Sequence, residues 1–134
     1  MYLSDKVLIV EGNSDKHHVE EVLNEPVQII CTFGTMGVAK LDDILNQIAV
    51  NDIYVLTDAD NEGRKIRQWF KRHLSESRHI YIDSRFGEVA RCPKDYLAAV
   101  LYRQGFQVNS RYMKGQYYNE RSSRDKRFIQ SYSV

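Results

Sequence analysis

The sequence predicts an α/β fold, a four-stranded parallel sheet with helices on both faces. Three observations carry that expectation. Short apolar runs alternate with amphipathic stretches of helical period, in the order β-α-β-α-β-α-β-α. The first run, Val7 to Val10, is continuously apolar and β-branched at most positions, as strands buried on both faces are. The first three runs end in Gly or acidic residues, where the chain must turn into the next helix.

Each element has its own local reason. "KVLIVEG" reads as the first strand, closed by Glu11 and Gly12. In "NSDKHHVEEVLNEP", Asn13 or Ser14 can cap a helix whose apolar face is Val19, Val22 and Leu23, and Pro26 ends it. "VQIICTFG" is a second strand stopped by Gly34. Leu41, Ile44, Leu45 and Ile48 give the next helix one face. "DIYVLTDAD" is the third strand, and "NEGRKIRQWFKRHL" a helix burying Ile66, Trp69 and Phe70 under a basic outer face. "HIYID" is a short fourth strand. "CPKDYLAAVLYRQG" is a helix, with Pro93 in its first turn and Gly105 at its C-terminal cap.

The 134 residues suffice for one compact domain, and a formal net charge of +1 excludes a uniformly basic or acidic protein. No stretch approaches the ~18 apolar residues of a membrane helix, and the short apolar run at the start soon meets Glu11, unlike a secretory leader. A cytoplasmic protein is expected. Cys31 and Cys92 lack CxxC spacing, which points to reduced thiols rather than zinc or a redox pair. Residues 1–108 form the expected domain. The remainder, 109–134, reads as a basic, tyrosine-rich extension: its stretch 111–134 holds six Lys or Arg against two Asp or Glu. Cations and rings of that kind suit nucleic acid, and equally a solvated tail packing a few rings.

"VLTDADNEG" places Asp58, Asp60 and Glu62 at the end of the third strand. In an open parallel sheet, ligands bind beyond the carboxyl ends of the strands, where the winding direction switches. If the first and third strands are neighbours, Glu11 joins Asp58 and Asp60 in one crevice. Converging carboxylates must either hold protons or share a cation. Oxygen-only ligands suit a hard ion, Mg²⁺ or Mn²⁺, which keeps waters and binds phosphate. Alone, "DADNEG" is equally an acidic turn capping a helix. Glu11-Gly12 after an independent strand, and Gly63 allowing a tight turn, favour the metal site.

"VLIVEGNSDK", then "TFGTMG", then "VLTDADNEGRKIR" resembles the Toprim domain family, over roughly residues 5–100. The resemblance implies a Rossmann-like Toprim fold and metal-dependent phosphoryl chemistry on nucleic acid. It implies Glu11 as general acid or base, Asp58 and Asp60 as ligands of Mg²⁺ (Mn²⁺ as substitute), and Glu62 as a further acidic member. It aligns Gly34 and Gly37 with the turn after the second strand, where backbone comes close to the site. Gly12 and Gly63 are likewise positions of close backbone approach. Among its branches, the chain is most similar to small stand-alone Toprim proteins and to the catalytic domain of the bacterial ribosomal-RNA maturation ribonuclease. There "EVARCPKDYL" makes Glu88 an accessory candidate.

Arg64, Lys65 and Arg67 follow the acidic loop and are candidates for holding a phosphate backbone, as is Lys40. His17 and His18 fall in no ligand spacing and read as structural or solvent-facing. The expected function is a Mg²⁺-dependent nuclease or RNA-processing enzyme on RNA or DNA, with a protein partner supplying specificity and no membrane association. The other reading is a non-catalytic, metal-dependent nucleic-acid-binding module. A phosphate-accepting regulator domain also clusters carboxylates at strand ends, but its first strand usually ends in an acidic pair, not Glu-Gly.

Overall fold

The computed structural model describes residues 6–33, 52–113 and 117. The strands are β1 Lys6–Val10, β2 Gln28–Cys31, β3 Asp52–Thr57 and β4 Arg78–Tyr81. The helices among the described residues are α1 Asn13–Val22, α2 Asn61–His73 and α3 Lys94–Arg103. The sheet has the order β2-β1-β3-β4, and all its pairings are parallel. The expected helix through Leu41 and Ile48, together with Gly34, Gly37 and Lys40, lies outside the described residues.

Strand alternation divides the core in two. Leu8, Val10, Tyr54, Leu56 and Ile80 point to one face, against Val19 and Val22 of α1 and Tyr96 to Leu101 of α3. Val7, Ile9, Ile53 and Val55 point to the other, against Ile66 and Phe70 of α2. Helices therefore cover both faces, as the apolar runs predicted. Full burial of each such aliphatic side chain contributes roughly 1.5–3 kcal/mol, so the central strands anchor the domain. β2 is an edge strand of intermediate burial throughout, which lets it carry Gln28.

Helix ends show where sequence reasoning held and where it shifted. Gly105 was expected at the cap of α3 and has φ +96°. Its N–H donates to Tyr102 O, and the Phe106 N–H donates to Leu101 O, each at 3.0 Å. This pair of bonds is the Schellman arrangement, which satisfies the last carbonyls. At α1 the cap is Gly12 rather than Asn13 or Ser14. The Gly12 N–H donates to Asp15 Oδ2 at 3.0 Å, so the third helical residue closes the turn. Trp69 is only partly buried. It lines the rim of the α2 cluster, its ring centroid 4.4 Å from that of His73, while Phe70 fills the interior. One residue along a helix rotates a side chain by about 100°, so both large rings cannot share the centre of one face.

The described residues beyond 108 include a 3-10 turn, Ser110–Tyr112, and Tyr117. Tyr117 is buried with its ring against Phe86 and Tyr96. Cys92 is buried and Cys31 half-buried, and both are free thiols. Among the described residues, no helix is long and apolar enough to cross a membrane.

The connection from β1 through α1 leads to β2 on one side. The chain then returns past β1 to reach β3 on the other. The winding reverses between β1 and β3, which makes the carboxyl ends of those two strands the crevice of the fold.

Candidate active site

β1 and β3 pair in parallel with Ile9 opposite Val55. That register carried forward brings Glu11 level with Thr57, beside Asp58. Glu11 Oε2 accepts a hydrogen bond from the Asp58 backbone N–H at 2.9 Å. Glu11, Asp58 and Asp60 each offer a carboxylate oxygen, and these oxygens lie within 4.8 Å of one another. The convergence expected from the strand ends is therefore present in the geometry.

Each carboxylate is anchored through one oxygen by a backbone donor. Besides the Glu11 bond, Asp58 Oδ1 accepts from the Val89 N–H at 2.7 Å, and Asp60 Oδ1 accepts from the Gly63 N–H at 2.7 Å. A carboxylate has two oxygens, and each of the three groups offers one to a possible ion. Asp60 is the N-cap of α2, with extended backbone and its side chain closing the first turn. Gly63 is needed for contact rather than for conformation. A Cβ there would sit 2.1 Å from the Asp58 carbonyl oxygen and 3.0 Å from its carbon. The helix start thus packs directly on the backbone of a site residue.

Packing like charges into a half-buried crevice shifts their protonation. The Glu11 carboxyl is pushed up to about 7, by burial first and also by the charges of Asp58, Asp60 and Asp15, against the lowering effect of the Asp58 N–H. Asp58 is raised too, first by burial and then by the charges of Asp15, Asp60 and Glu88, against the lowering effect of the Val89 N–H. Oxygen donors that resist ionisation together suit a divalent cation, whose charge reverses both effects. The donor set fits a hard ion with oxygen ligands.

Asp15 lies within "VLIVEGNSDK", where its sequence context marks no role. It is buried beneath the cluster, bonded by the Gly12 N–H, and its own carboxyl is raised by burial first and by the charge of Glu88. Its position three residues after Gly12, at the start of a helix that rises from the same crevice, is the signal that could have found it. The segment after β4 also reaches the site. Gly87 O accepts from the Ala59 N–H at 2.8 Å, and the next two residues present Glu88 and the Val89 N–H to Asp58. Nothing local in the sequence announces backbone bonds across that separation.

The other sequence candidates lie around this cluster. Gly12 caps α1 at its edge. Glu62 is exposed and pairs with Lys65 at 3.4 Å. Glu88 is exposed, forms an ion pair with Arg91 at 3.1 Å and acts on Asp58 through its charge. Arg64 is exposed and bonds Asn61 Oδ1. Arg67 belongs to the wall of the site: its Nη1 donates to Thr57 Oγ1 at 2.5 Å and to the Asp58 carbonyl at 3.1 Å, and its guanidinium lies over the Tyr81 ring. His18 Nε2 contacts Cys92 O at 2.7 Å, and exposed His17 lies near Glu20, so neither histidine joins the carboxylates.

The Toprim domain family model matches residues 6–85. The chain is 41% identical over 110 residues to the uncharacterized protein YusF of Bacillus subtilis (strain 168), covering 82% of this chain and 75% of that one. It is 34% identical over 70 residues to ribonuclease M5 of Mesoplasma florum and 26% identical over 80 residues to ribonuclease M5 of Mycoplasma genitalium. It spans 38% and 44% of those two ribonucleases. Its structure superposes with a TM-score of 0.80 on a small TOPRIM domain protein from Bacillus stearothermophilus, at 43% identity over 87% of this chain and 98% of that one.

Two measurements follow from this geometry. Gly63→Ala forces apart α2 and the Asp58 backbone, and denaturant unfolding is expected to show a loss of several kcal/mol, of the order of 3 or more; a loss below about 1 kcal/mol would contradict the contact. The raised Glu11 carboxyl sets a pH dependence in metal-free protein. Below the unfolded value of 4.5, Glu11 is protonated in both states and contributes no difference. Between 4.5 and about 7 the folded state keeps the proton that the unfolded state releases, so stability falls as pH rises, and levels off above 7. Glu11→Gln is therefore expected to be more stable than the parent at pH 8, by on the order of 1 kcal/mol after solvent screening, with the gap closing toward pH 4.5. Thermal unfolding with a chelator at both pH values checks it, and an unchanged gap would refute it.

Proposed function

The chain belongs to the Toprim domain family, and on that premise we propose that it is a Mg²⁺-dependent phosphodiesterase acting on nucleic acid, a nuclease of the RNA-processing kind. The observation that carries the reading is the set of carboxylates at the β1–β3 switch, each held by a backbone N–H and with oxygens within 4.8 Å of one another. The likeness to ribonuclease M5 sequences supports a ribonucleic-acid substrate. The chain spans less than half the length of each of those proteins, and a protein partner supplying specificity is part of the proposal. The setting is cytoplasmic, where such substrates are.

Asp58 and Asp60 would hold the ion, with Glu62 at the mouth of the loop as a further acidic group. A bound Mg²⁺ supplies Lewis-acid polarisation of the phosphate and offsets the charge that develops on it. Mn²⁺ can substitute, because the donors are all oxygen. Glu11 moves the proton. It sits where its carboxyl titrates near neutrality, and its bond from the Asp58 N–H aims it at the same crevice. Asp15 and Glu88 raise the affinity of the crevice for positive charge without touching the phosphate. Arg67 holds the Asp58 carbonyl and Thr57 in place, so that the ligand loop does not reorganise during the reaction. Arg64 and Lys65, exposed on the first turns of α2, would meet a phosphate backbone, and Gly12 would let that backbone approach the end of β1.

Cleavage assays on single-stranded and duplex RNA and DNA, with Mg²⁺ or with chelator, test this. Cleavage is expected only with the divalent ion. Glu11→Gln is expected to lower kcat by about 10²–10⁴ while metal-dependent binding survives. Asp58→Asn is expected to remove both. Metal-dependent binding with no cleavage of any substrate would contradict the enzyme and favour a non-catalytic nucleic-acid-binding module.

A further inference from the structure

β4 is an edge strand of the sheet among the described residues. A cavity of about 430 Å³ is lined by this strand, by the turn before it and by the last turn of α2. That volume is within the range of small-ligand sites. Lys71, Ser77, Arg78, His79 and Tyr81 line it, and no carboxylate does. Lys71 and Arg78 bring two positive charges, and neither is in an ion pair among the described residues.

The cavity also holds a polar group that the fold leaves unsatisfied. His79 is only 6% exposed. The Ser77 hydroxyl donates to Leu74 O at 2.7 Å, so its oxygen accepts from the His79 Nε2–H at 3.3 Å. Nδ1 then carries a lone pair, and it is buried without a hydrogen-bond partner. Burial first, and then the charges of Lys71 and Arg67, lower the imidazole to about 4. Positive charge therefore dominates around this ring, and an anion in the cavity would offset it.

One end of the cavity reaches the carboxylate site. Tyr81 pairs with Thr57, the residue before Asp58. The Arg67 guanidinium lies 5.3 Å from the Tyr81 ring centroid, and its Nη1 is 3.1 Å from the Asp58 carbonyl. Lys71 stands four residues on, on the same helix face, with Nζ 5.9 Å from that same ring. Cations thus run from the Asp58 backbone into the cavity without interruption. A nucleic-acid strand carries a phosphate at every residue, and basic grooves follow such a backbone.

Resting on the nuclease reading above, we propose that this cavity is a phosphate subsite, in which Lys71 and Arg78 hold a backbone phosphate of the same strand whose scissile phosphodiester lies at Glu11, Asp58 and Asp60. The subsite reads charge, not sequence. It positions the strand and takes no part in proton transfer.

The test counts phosphate contacts. Fluorescence anisotropy reads the binding of a short single-stranded oligonucleotide to the full chain with Mg²⁺ over a range of salt, in a Glu11→Gln background that suppresses cleavage. Lys71→Gln and Arg78→Gln are each expected to weaken binding about fivefold at 0.1 M salt and to reduce the slope of log affinity against log salt by about 0.7. Arg72→Gln, exposed on the same helix and outside the cavity, is expected to leave both unchanged. The His79 ring resonances, read by NMR, are expected to move on binding of the strand and to stay in place in Lys71→Gln. Movement with inorganic phosphate alone, and full strand affinity in both variants, would assign the cavity to free phosphate and overturn the proposal. If the parent binds no strand, the nuclease reading fails and the subsite with it. If the parent binds, Asp58→Asn weakens it and the cavity variants match the parent in affinity and slope, the subsite alone fails.

Discussion

The hydrogen bond from the Asp58 N–H to Glu11 Oε2 is the tie on which the site depends. It joins the ends of the two central strands at the point where the winding of the sheet reverses. It also commits one oxygen of Glu11, which fixes where the other can reach. The bond lowers the carboxyl's tendency to hold a proton, yet burial wins and leaves Glu11 titrating near neutrality. A carboxylate in that state can carry a proton or, with a cation beside it, bind as an anion. The chemistry proposed for the site needs that balance.

The remaining anchors come from three separate stretches of chain. Gly63 on α2 holds Asp60, Val89 after β4 holds Asp58, and Gly12 on α1 holds Asp15. All are backbone N–H donors, which cannot be exchanged by substitution of a side chain and do not titrate. Arg67 adds the one cation that reaches the Asp58 loop directly among the described residues, and it does so through the carbonyl and Thr57 rather than through the carboxylate. Among the described residues, no ion pair neutralises Glu11, Asp58 or Asp60.

Much of this was legible in the chain. The sheet was readable because Val7 to Val10 and Ile53 to Leu56 are buried on both sides of the sheet, and continuous apolar runs have few other uses. The pairing of Glu11 with Asp58 followed from parallel strand order, since strand ends share one edge. Contacts made by backbone atoms were not legible. The Val89 N–H and Gly87 O touch the site whatever their side chains are, so no residue type marks them. Asp15 was hidden for a related reason: an acidic residue in the first turn of a helix has an ordinary explanation as a cap. Glu62, in the first turn of α2, pairs with Lys65 on the exposed side of that helix. Trp69 shows the limit of composition, since hydrophobicity says that a ring is covered but not how fully.

The most direct measurement is the anomalous scattering of Mn²⁺ in crystals of the parent protein soaked at saturating concentration. The account predicts one strong peak at the carboxyl ends of β1 and β3, coordinated by Asp58 and Asp60 with Glu11 adjoining it. A saturated crystal with no ion there, or with Glu11 turned out of the crevice and the ion bound elsewhere, would contradict it.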